Sequence, residues 1–411
     1  MHFGYNLLII LLQWLLPVSK LFSRKMSLFV DGRKEVFNTL KTDLDKDKPV
    51  IWVHAASLGE YEQAVPIMES MKEYYSDHQL VLSFFSPSGY EIKRNNAFAK
   101  ATIYLPLDTP SNARKFVDTV QPEMAFFVKY EFWPNYLKEL RELNCRTYLL
   151  SGVFREQQPF FKWYGKWMKK SLGAFEYFFL QNEASSKALS KLGFENQVIS
   201  GDTRFDRVAK QIEMDNRLDF MDSFVENSLC VVCGSTWPEG DQMLASFVNN
   251  KEGVAKFVLA PHVIRPDKIA GFQKRLRVPS MLYSEWKEKN LKEYDVLILD
   301  TIGLLTRVYS YADIAYVGGA AGGTGLHNIL EPATFGVPII TGTNIDKFPE
   351  AKRLRQLAGL FAVNGSREFT STLSKLLIDK KLRTQTGMIS GHFINSNTGA
   401  TRCVMEYLSR T

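Results

Sequence analysis

A proton acceptor and a set of anion holders can be picked out of this sequence. The stretch His54-Ala-Ala-Ser57-Leu-Gly59-Glu60 leaves a short apolar run and enters a helical pattern. Ser57-x-x-Glu60 has the spacing of a capping box, in which the serine caps the helix and the glutamate returns to the serine's backbone N–H. The same carboxylate suits a second role. Charge on an acid is stabilised at a helix N-terminus, so Glu60 could take a proton from a hydroxyl, and Gly59 beside it allows a substrate to come close. The residue types alone leave both open.

The anion-holding candidates lie further along. Gly318, Gly319, Gly322, Gly323 and Gly325 follow a strand-like run, and a helix is expected to open near His327. Such a loop turns backbone N–H groups toward a phosphate. Its spacing is not the dinucleotide fingerprint. Asn328 could contact phosphate or cap the helix; Glu331 could accept from a ribose diol or be a solvated first-turn acid. In Cys233-Gly-Ser235-Thr236-Trp-Pro, a strand again turns into a helix, where Ser235 or Thr236 would cap or hold an anion. Pro261-His262 ends another strand, with His262 suited to a phosphate, a base, or a plain loop contact. Arg204, in Gly201-Asp-Thr-Arg204-Phe-Asp206, could reach an anion or form an interdomain salt bridge. Lys129 and Glu131 follow a strand in Val128-Lys-Tyr-Glu-Phe-Trp-Pro-Asn135, and an aromatic staple is the structural alternative there.

Several chemistries have no matching pattern. There is no H-x-x-x-H, no paired C-x-x-C and no Walker lysine loop. Asp43-Leu-Asp45 and Asp45-Lys-Asp47 fall in a polar linker and read as solvated acids. Cys230 and Cys233 share one strand-like run, where positions three apart face opposite sides, and read as core residues in a reducing compartment.

The elements that must position these residues follow a regular alternation. Short apolar strands are expected at 50–54, 80–85, 102–105, 124–128, 147–150 and 177–180, separated by helical patterns. The alternation breaks in a charged stretch near 203–227. It resumes with strands at 229–234, 256–260, 278–282, 296–299, 313–317 and 338–340. Continuous apolar strands between helices indicate parallel sheets covered on both faces, hence an α/β fold of two doubly wound domains with a ligand cleft between them. The expected division is 1–25 an anchor, 26–205 an N-terminal domain, 206–395 a C-terminal domain and 396–411 a final helix that could pack back on the first domain.

Composition adds the setting. The net charge of +7 calls for an anionic partner, and the scatter of the basic residues argues against nucleic acid. From Phe3 to Val18 the chain is apolar, and Lys20, Arg24, Lys25, Arg33 and Lys34 follow. That run is short of the roughly 20 residues a bilayer span takes. No small-residue cleavage site follows it, so an interfacial anchor with cations at acidic head groups fits better than a signal peptide. A helix packed on the domain is the alternative.

Five motifs in order (HAASLGE, KYEFWPN, SGDTRFD, GSTWPEGD and GLHNILEP) resemble the 3-deoxy-D-manno-octulosonic acid (Kdo) transferases of lipopolysaccharide synthesis. The resemblance implies a GT-B glycosyltransferase with two Rossmann-like domains, inverting and metal-independent, without a cofactor. It would move Kdo from CMP-Kdo to the lipid A precursor (lipid IVA) at the cytoplasmic face of the inner membrane. It makes Glu60 the general base, with Ser57, Gly59, Lys129 and Glu131 on the acceptor side. Arg204, Ser235, Thr236, Pro261, His262, Gly323, Gly325, Asn328 and Glu331 would hold CMP-Kdo. Two departures stand out: Lys129 replaces the family's first acid, and Pro261-His262 lacks the arginine that family members place between proline and histidine. A nucleotide-sugar epimerase of the same two-domain fold, and a non-catalytic nucleotide-binding protein, are the competing functions.

Overall fold

The computed structural model describes residues 2–250 and 255–410, and it divides into two compact units. Residues 1–207 with 398–411 form the first, and 208–397 the second.

The first unit is built on seven strands: β1 (Val50–Ala55), β2 (Gln79–Phe84), β3 (Ala101–Tyr104), β4 (Pro122–Val128), β5 (Arg146–Gly152), β6 (Tyr177–Leu180) and β7 (Gln197–Ile199). All pair in parallel, in the order β3-β2-β1-β4-β5-β6-β7. The central strands are buried on both faces, which is why they read as unbroken apolar runs. On one face Trp52 packs against Phe116 (ring centroids 4.7 Å apart) and Phe127 (5.0 Å). On the other, the helix Leu58–Tyr74 contributes Ala64, Val65, Ile67, Met68 and Met71 to the core.

That second face is closed by the end of the chain. The helix Ala400–Leu408 buries Val404, Met405 and Leu408 in this core, and Tyr407 stacks on Tyr177 at 4.2 Å. Asp206 pins its start, accepting from the backbone N–H of Gly399 and Thr401 at 2.6 Å each and from the Thr401 hydroxyl at 2.7 Å.

The second unit repeats the plan with β8 (Cys230–Thr236), β9 (Lys256–Pro261), β10 (Ser280–Leu282), β11 (Val296–Ile298), β12 (Ile314–Val317), β13 (Ile339–Gly342) and β14 (Leu360–Val363). Their order is β10-β11-β9-β8-β12-β13-β14, again all parallel. Cys230 and Cys233 are buried in β8, and burial pushes both thiols up.

Two strands have no counterpart in the sequence-based expectation, β7 and β14. Both are edge strands of only three or four residues, too short for pattern alone to set a strand apart from its surroundings.

The N-terminal helix His2–Ser19 has a mean hydropathy of 1.3 and no buried residue, and it is long and apolar enough to cross a membrane. It is also tied to the first unit by its polar side chains. Tyr5 donates to Asp108 at 2.7 Å, Asn6 accepts from Asn135 at 2.9 Å and Gln13 accepts from Asn112 at 3.0 Å. Phe3, Trp14 and Leu15 are exposed.

Candidate functional site

In each sheet the strand order reverses once, between β1 and β4 in the first unit and between β8 and β12 in the second. Loops leaving the carboxyl ends of such a strand pair run to opposite sides and open a crevice, which is where ligands bind in doubly wound folds. All four motif-bearing loops at these reversals carry candidates.

In the first unit, β1 runs through His54 into Ser57, and the helix Leu58–Tyr74 starts there. Glu60 lies in its first turn, only 6% exposed. The expected capping box is not formed. Ser57 is extended (φ −141°, ψ 179°) and its side chain makes no cap bond. Its hydroxyl donates instead to Glu60 Oε2. Its proton goes to the adjacent carboxylate, and its oxygen accepts from no backbone N–H of the first turn. Gly59 has only the Ser57 hydroxyl near where a Cβ would stand, at 3.8 Å.

After β4 comes the second loop. Lys129 takes a left-handed backbone (φ 71°), its carbonyl accepting from Val153 and its N–H donating to Leu150. Glu131 is 9% exposed, and its Oε2 accepts from Trp133 Nε1 at 3.1 Å. Tyr130 lies beside both acids: burial first, then Glu60 and Glu131, push its phenol up, with Arg155 opposing. Glu60 and Glu131 therefore both lie near the Tyr130 phenol.

Arg204 sits in the helix Thr203–Ala209 and pairs with Asp202 at 2.8 Å. Burial alone would raise the Asp202 carboxyl, but Arg204 and the Gln63 amide bring it below its ordinary value. Thr203 also donates to the Gln63 carbonyl at 2.6 Å, so the segment is clamped onto the Leu58–Tyr74 helix. Asp202, like Arg204 itself, belongs to the first unit.

In the second unit, β8 ends at Ser235 and Thr236. Ser235 has φ 51°, a conformation costly for a non-glycine residue. Opposite it, a Cβ on Gly318 would stand 2.0 Å from the Ser235 carbonyl, so only glycine fits. A cavity of about 350 Å³ adjoins this end, lined by Thr236, Trp237, Asp241, Pro261, His262 and Arg265. Arg265 supplies a guanidinium to the same cavity as Pro261 and His262. At its mouth three rings gather: Trp237 stacks on His262 at 4.6 Å, and His262 lies 4.3 Å from His327. The indole N–H of Trp237 donates to His327 Nε2 at 2.9 Å. Burial, and then His262, lower His327 to about 4, so both imidazoles favour the neutral form near pH 7.

The glycine loop differs from expectation in one respect. The helix expected near His327 begins only at Leu330 and ends at Thr334. The His327 N–H reaches back to the Gly318 carbonyl at 3.2 Å, which holds 327 off the helical path. Asn328 then caps, its Oδ1 accepting from Leu330 N at 3.1 Å, while its amide donates to Glu331 Oε1 at 3.0 Å. Thr306 donates to the other Glu331 oxygen at 3.3 Å. A Cβ on Gly323 would meet nothing within 4 Å, and one on Gly325 only the Phe348 ring at 3.4 Å, so this part of the loop borders open space.

Residues 31–207 match the family described as 3-deoxy-D-manno-octulosonic-acid transferase (kdotransferase). The chain is similar to the Kdo transferases. A Haemophilus influenzae 3-deoxy-D-manno-octulosonic acid transferase is 27% identical over 378 residues, covering 87% of this chain and 86% of that protein. The Aquifex aeolicus protein of the same name is 27% identical over 349 residues, covering 83% and 90%. Among solved structures, UDP-GlcNAc 2-epimerase from Neisseria meningitidis superposes with a TM-score of 0.63 at 13% identity, covering 88% of this chain and all of that one. MurG from Acinetobacter baumannii gives 0.55 at 12% identity, covering 89% and 100%. At such identities the structures speak for the fold alone, two Rossmann-like units of the GT-B kind.

Sequence reasoning passed over four side chains that this geometry makes prominent: His54, Trp133, Trp237 and His327. Each had a signal. His54 is a polar residue near the end of an apolar strand, Trp237 directly follows β8, and Trp133 stands five residues beyond β4. Their partners, however, lie 79 and 90 residues away along the chain.

Proposed function

We infer that this chain is a glycosyltransferase that moves Kdo from CMP-Kdo to a hydroxyl of the lipid A precursor, inverting the anomeric centre and using no metal. The observation that carries the mechanism is the Ser57–Glu60 pair at the carboxyl end of β1, a shielded carboxylate at the start of a helix. Glu60 accepts the acceptor's hydroxyl proton while that oxygen bonds to the anomeric carbon. CMP leaves with the electrons of the broken C–O bond. Lys129 and Glu131 hold the acceptor beside it, and the Lys129 ammonium suits an acceptor phosphate better than the family's acid would.

The donor rests on the second unit. Its phosphate is met by the backbone around Ser235, Thr236, Gly323 and Gly325, and by Arg204. Asn328 and Glu331, already bonded to each other, take the nucleoside, with a ribose diol replacing the Asn328 amide on Glu331. Pro261 and His262 wall the adjoining cavity, and Arg265 fills the role of the missing family arginine. Fixed donors of this kind stabilise charge growing on a leaving phosphate.

The helix His2–Ser19 lies at the membrane surface, its polar side chains on the protein and Phe3, Trp14 and Leu15 among lipid tails. Lys20, Arg24 and Lys25 meet the acidic head groups of the cytoplasmic leaflet of the inner membrane, and nucleic acid is not a partner.

Purified protein supplied with CMP-Kdo and lipid IVA in EDTA should form a Kdo-lipid product by mass spectrometry. Glu60→Gln should lower kcat by roughly 10²–10⁴-fold with an unchanged melting temperature. Near-normal turnover in that variant removes Glu60 as the base. Trp14→Glu with Leu15→Glu should abolish binding to anionic vesicles without loss of turnover on detergent-solubilised acceptor.

A further inference from the structure

Four polar side chains form a line through the first unit that the transfer chemistry above does not use. Trp52 and His54 alternate on β1 and so share a sheet face, and Ser83 stands opposite His54 in register on β2. Trp52, His54 and Ser83 are all fully buried. Ser83 Oγ accepts from Trp52 Nε1 at 2.8 Å and lies 2.9 Å from His54 Nδ1. On the other side of the ring, Trp133 Nε1 is 3.1 Å from His54 Nε2 and also 3.1 Å from Glu131 Oε2.

Proton counting makes this line directional. An indole N–H can only donate, so His54 Nε2 must offer a lone pair. The ring proton then sits on Nδ1 and points at Ser83. With Nε2 bare, one N–H of Trp133 is shared between the imidazole and the Glu131 carboxylate, whose Oε2 lies 3.6 Å from Nε2. Phe85 fixes the indole from the side at 4.8 Å. Among the described residues no hydrogen bond reaches Glu131 Oε1, while Tyr130 has both this acid and Glu60 as neighbours.

We propose that His54 is a positioning residue for the acceptor: its bare Nε2 aims the Trp133 N–H, which holds Glu131 so that Oε1 accepts a hydroxyl hydrogen bond from the acceptor sugar beside Glu60. The proposal rests on the transferase reading and adds to it a buried device for acceptor orientation. The opposite tautomer would break it, because an Nε2 that carries the proton has no lone pair for the Trp133 N–H. No proton leaves His54 during the transfer; its role is geometric.

The test uses full-length His54→Gln, His54→Leu and Trp133→Phe. The Gln side chain retains an acceptor oxygen for the indole, and Leu does not. Leu at 54 and Phe at 133 should each raise the acceptor KM by about tenfold or more, the scale of one hydrogen bond to a charged group, and leave the CMP-Kdo KM within about twofold. Gln should bring the acceptor KM back to within about threefold of wild type. Equal shifts in both KM values, or a Gln variant no better than Leu when both melt like wild type, overturn the proposal. Trp133→Phe keeps the question answerable if position 54 tolerates no change. Imidazole ¹⁵N spectra add a readout independent of turnover: Nδ1 protonated and Nε2 bare in wild type, with the reverse tautomer refuting the scheme. If wild type transfers no Kdo, the functional reading fails, while affinity for a bisphosphorylated glucosamine lipid in detergent micelles, compared across the same variants, still decides the positioning claim.

Discussion

Acid should weaken the second unit through one imidazole. His327 accepts the Trp237 N–H on Nε2 and lies against His262, and burial holds it at about 4. A histidine unfolded in water titrates near 6.5. The folded value is depressed, so the unfolded chain binds the proton first. The associated stability is fully present above about pH 6.5 and is lost as the pH falls toward 4. A shift of that size would amount to about 3 kcal/mol for a fully shielded group. The ring is only partly shielded, and solvent screening reduces the expected loss to about 1–2 kcal/mol between pH 7 and 4.5. Urea unfolding of wild type and His327→Gln at both pH values measures it, because the Gln amide oxygen keeps an acceptor for Trp237 without titrating. Other acid effects are common to both proteins and cancel in the difference. The wild type should lose that extra amount. Parallel pH profiles, or a His327 NMR titration midpoint near 6.5, would refute the reasoning.

Three further outcomes test other parts of the molecule. Gly319→Ala should destabilise the second unit by about 1–3 kcal/mol, because the residue has φ 91° and a Cβ would lie 2.1 Å from the Gly325 carbonyl. Gly323→Ala should leave melting unchanged, since its Cβ meets nothing, yet weaken CMP binding about tenfold in calorimetry by filling space a nucleotide needs. Asp206→Ala strands three donors at the start of the Ala400–Leu408 helix and should cost about 2–3 kcal/mol, seen as early protease cleavage after residue 398.

Local pattern was enough for much of this protein. Central parallel strands are buried on both faces, so they must be apolar throughout, and β1, β4, β8 and β12 could be read directly from sequence. Residues that follow such strands stand at their carboxyl ends, so Ser57, Glu60, Glu131, Ser235 and the glycine loop were already marked as candidates. The edge strands β7 and β14 escape because three or four residues carry too little pattern to separate a strand from a loop or a buried helix segment. The cap at Ser57 is misjudged because spacing does not fix where the side chain turns: the hydroxyl donates to Glu60 and accepts from no backbone N–H.

What only tertiary structure decided depends on register between distant segments. The order of strands sets where each sheet reverses, and thereby which strand ends face a crevice. The tautomer of His54 follows from Ser83 and Trp133, and the neutrality of His327 from Trp237 and His262. Each is a hydrogen bond or ring contact between chain positions tens of residues apart. Sequence spacing carries no distance between such positions, and a proton's place on an imidazole is settled by distances alone.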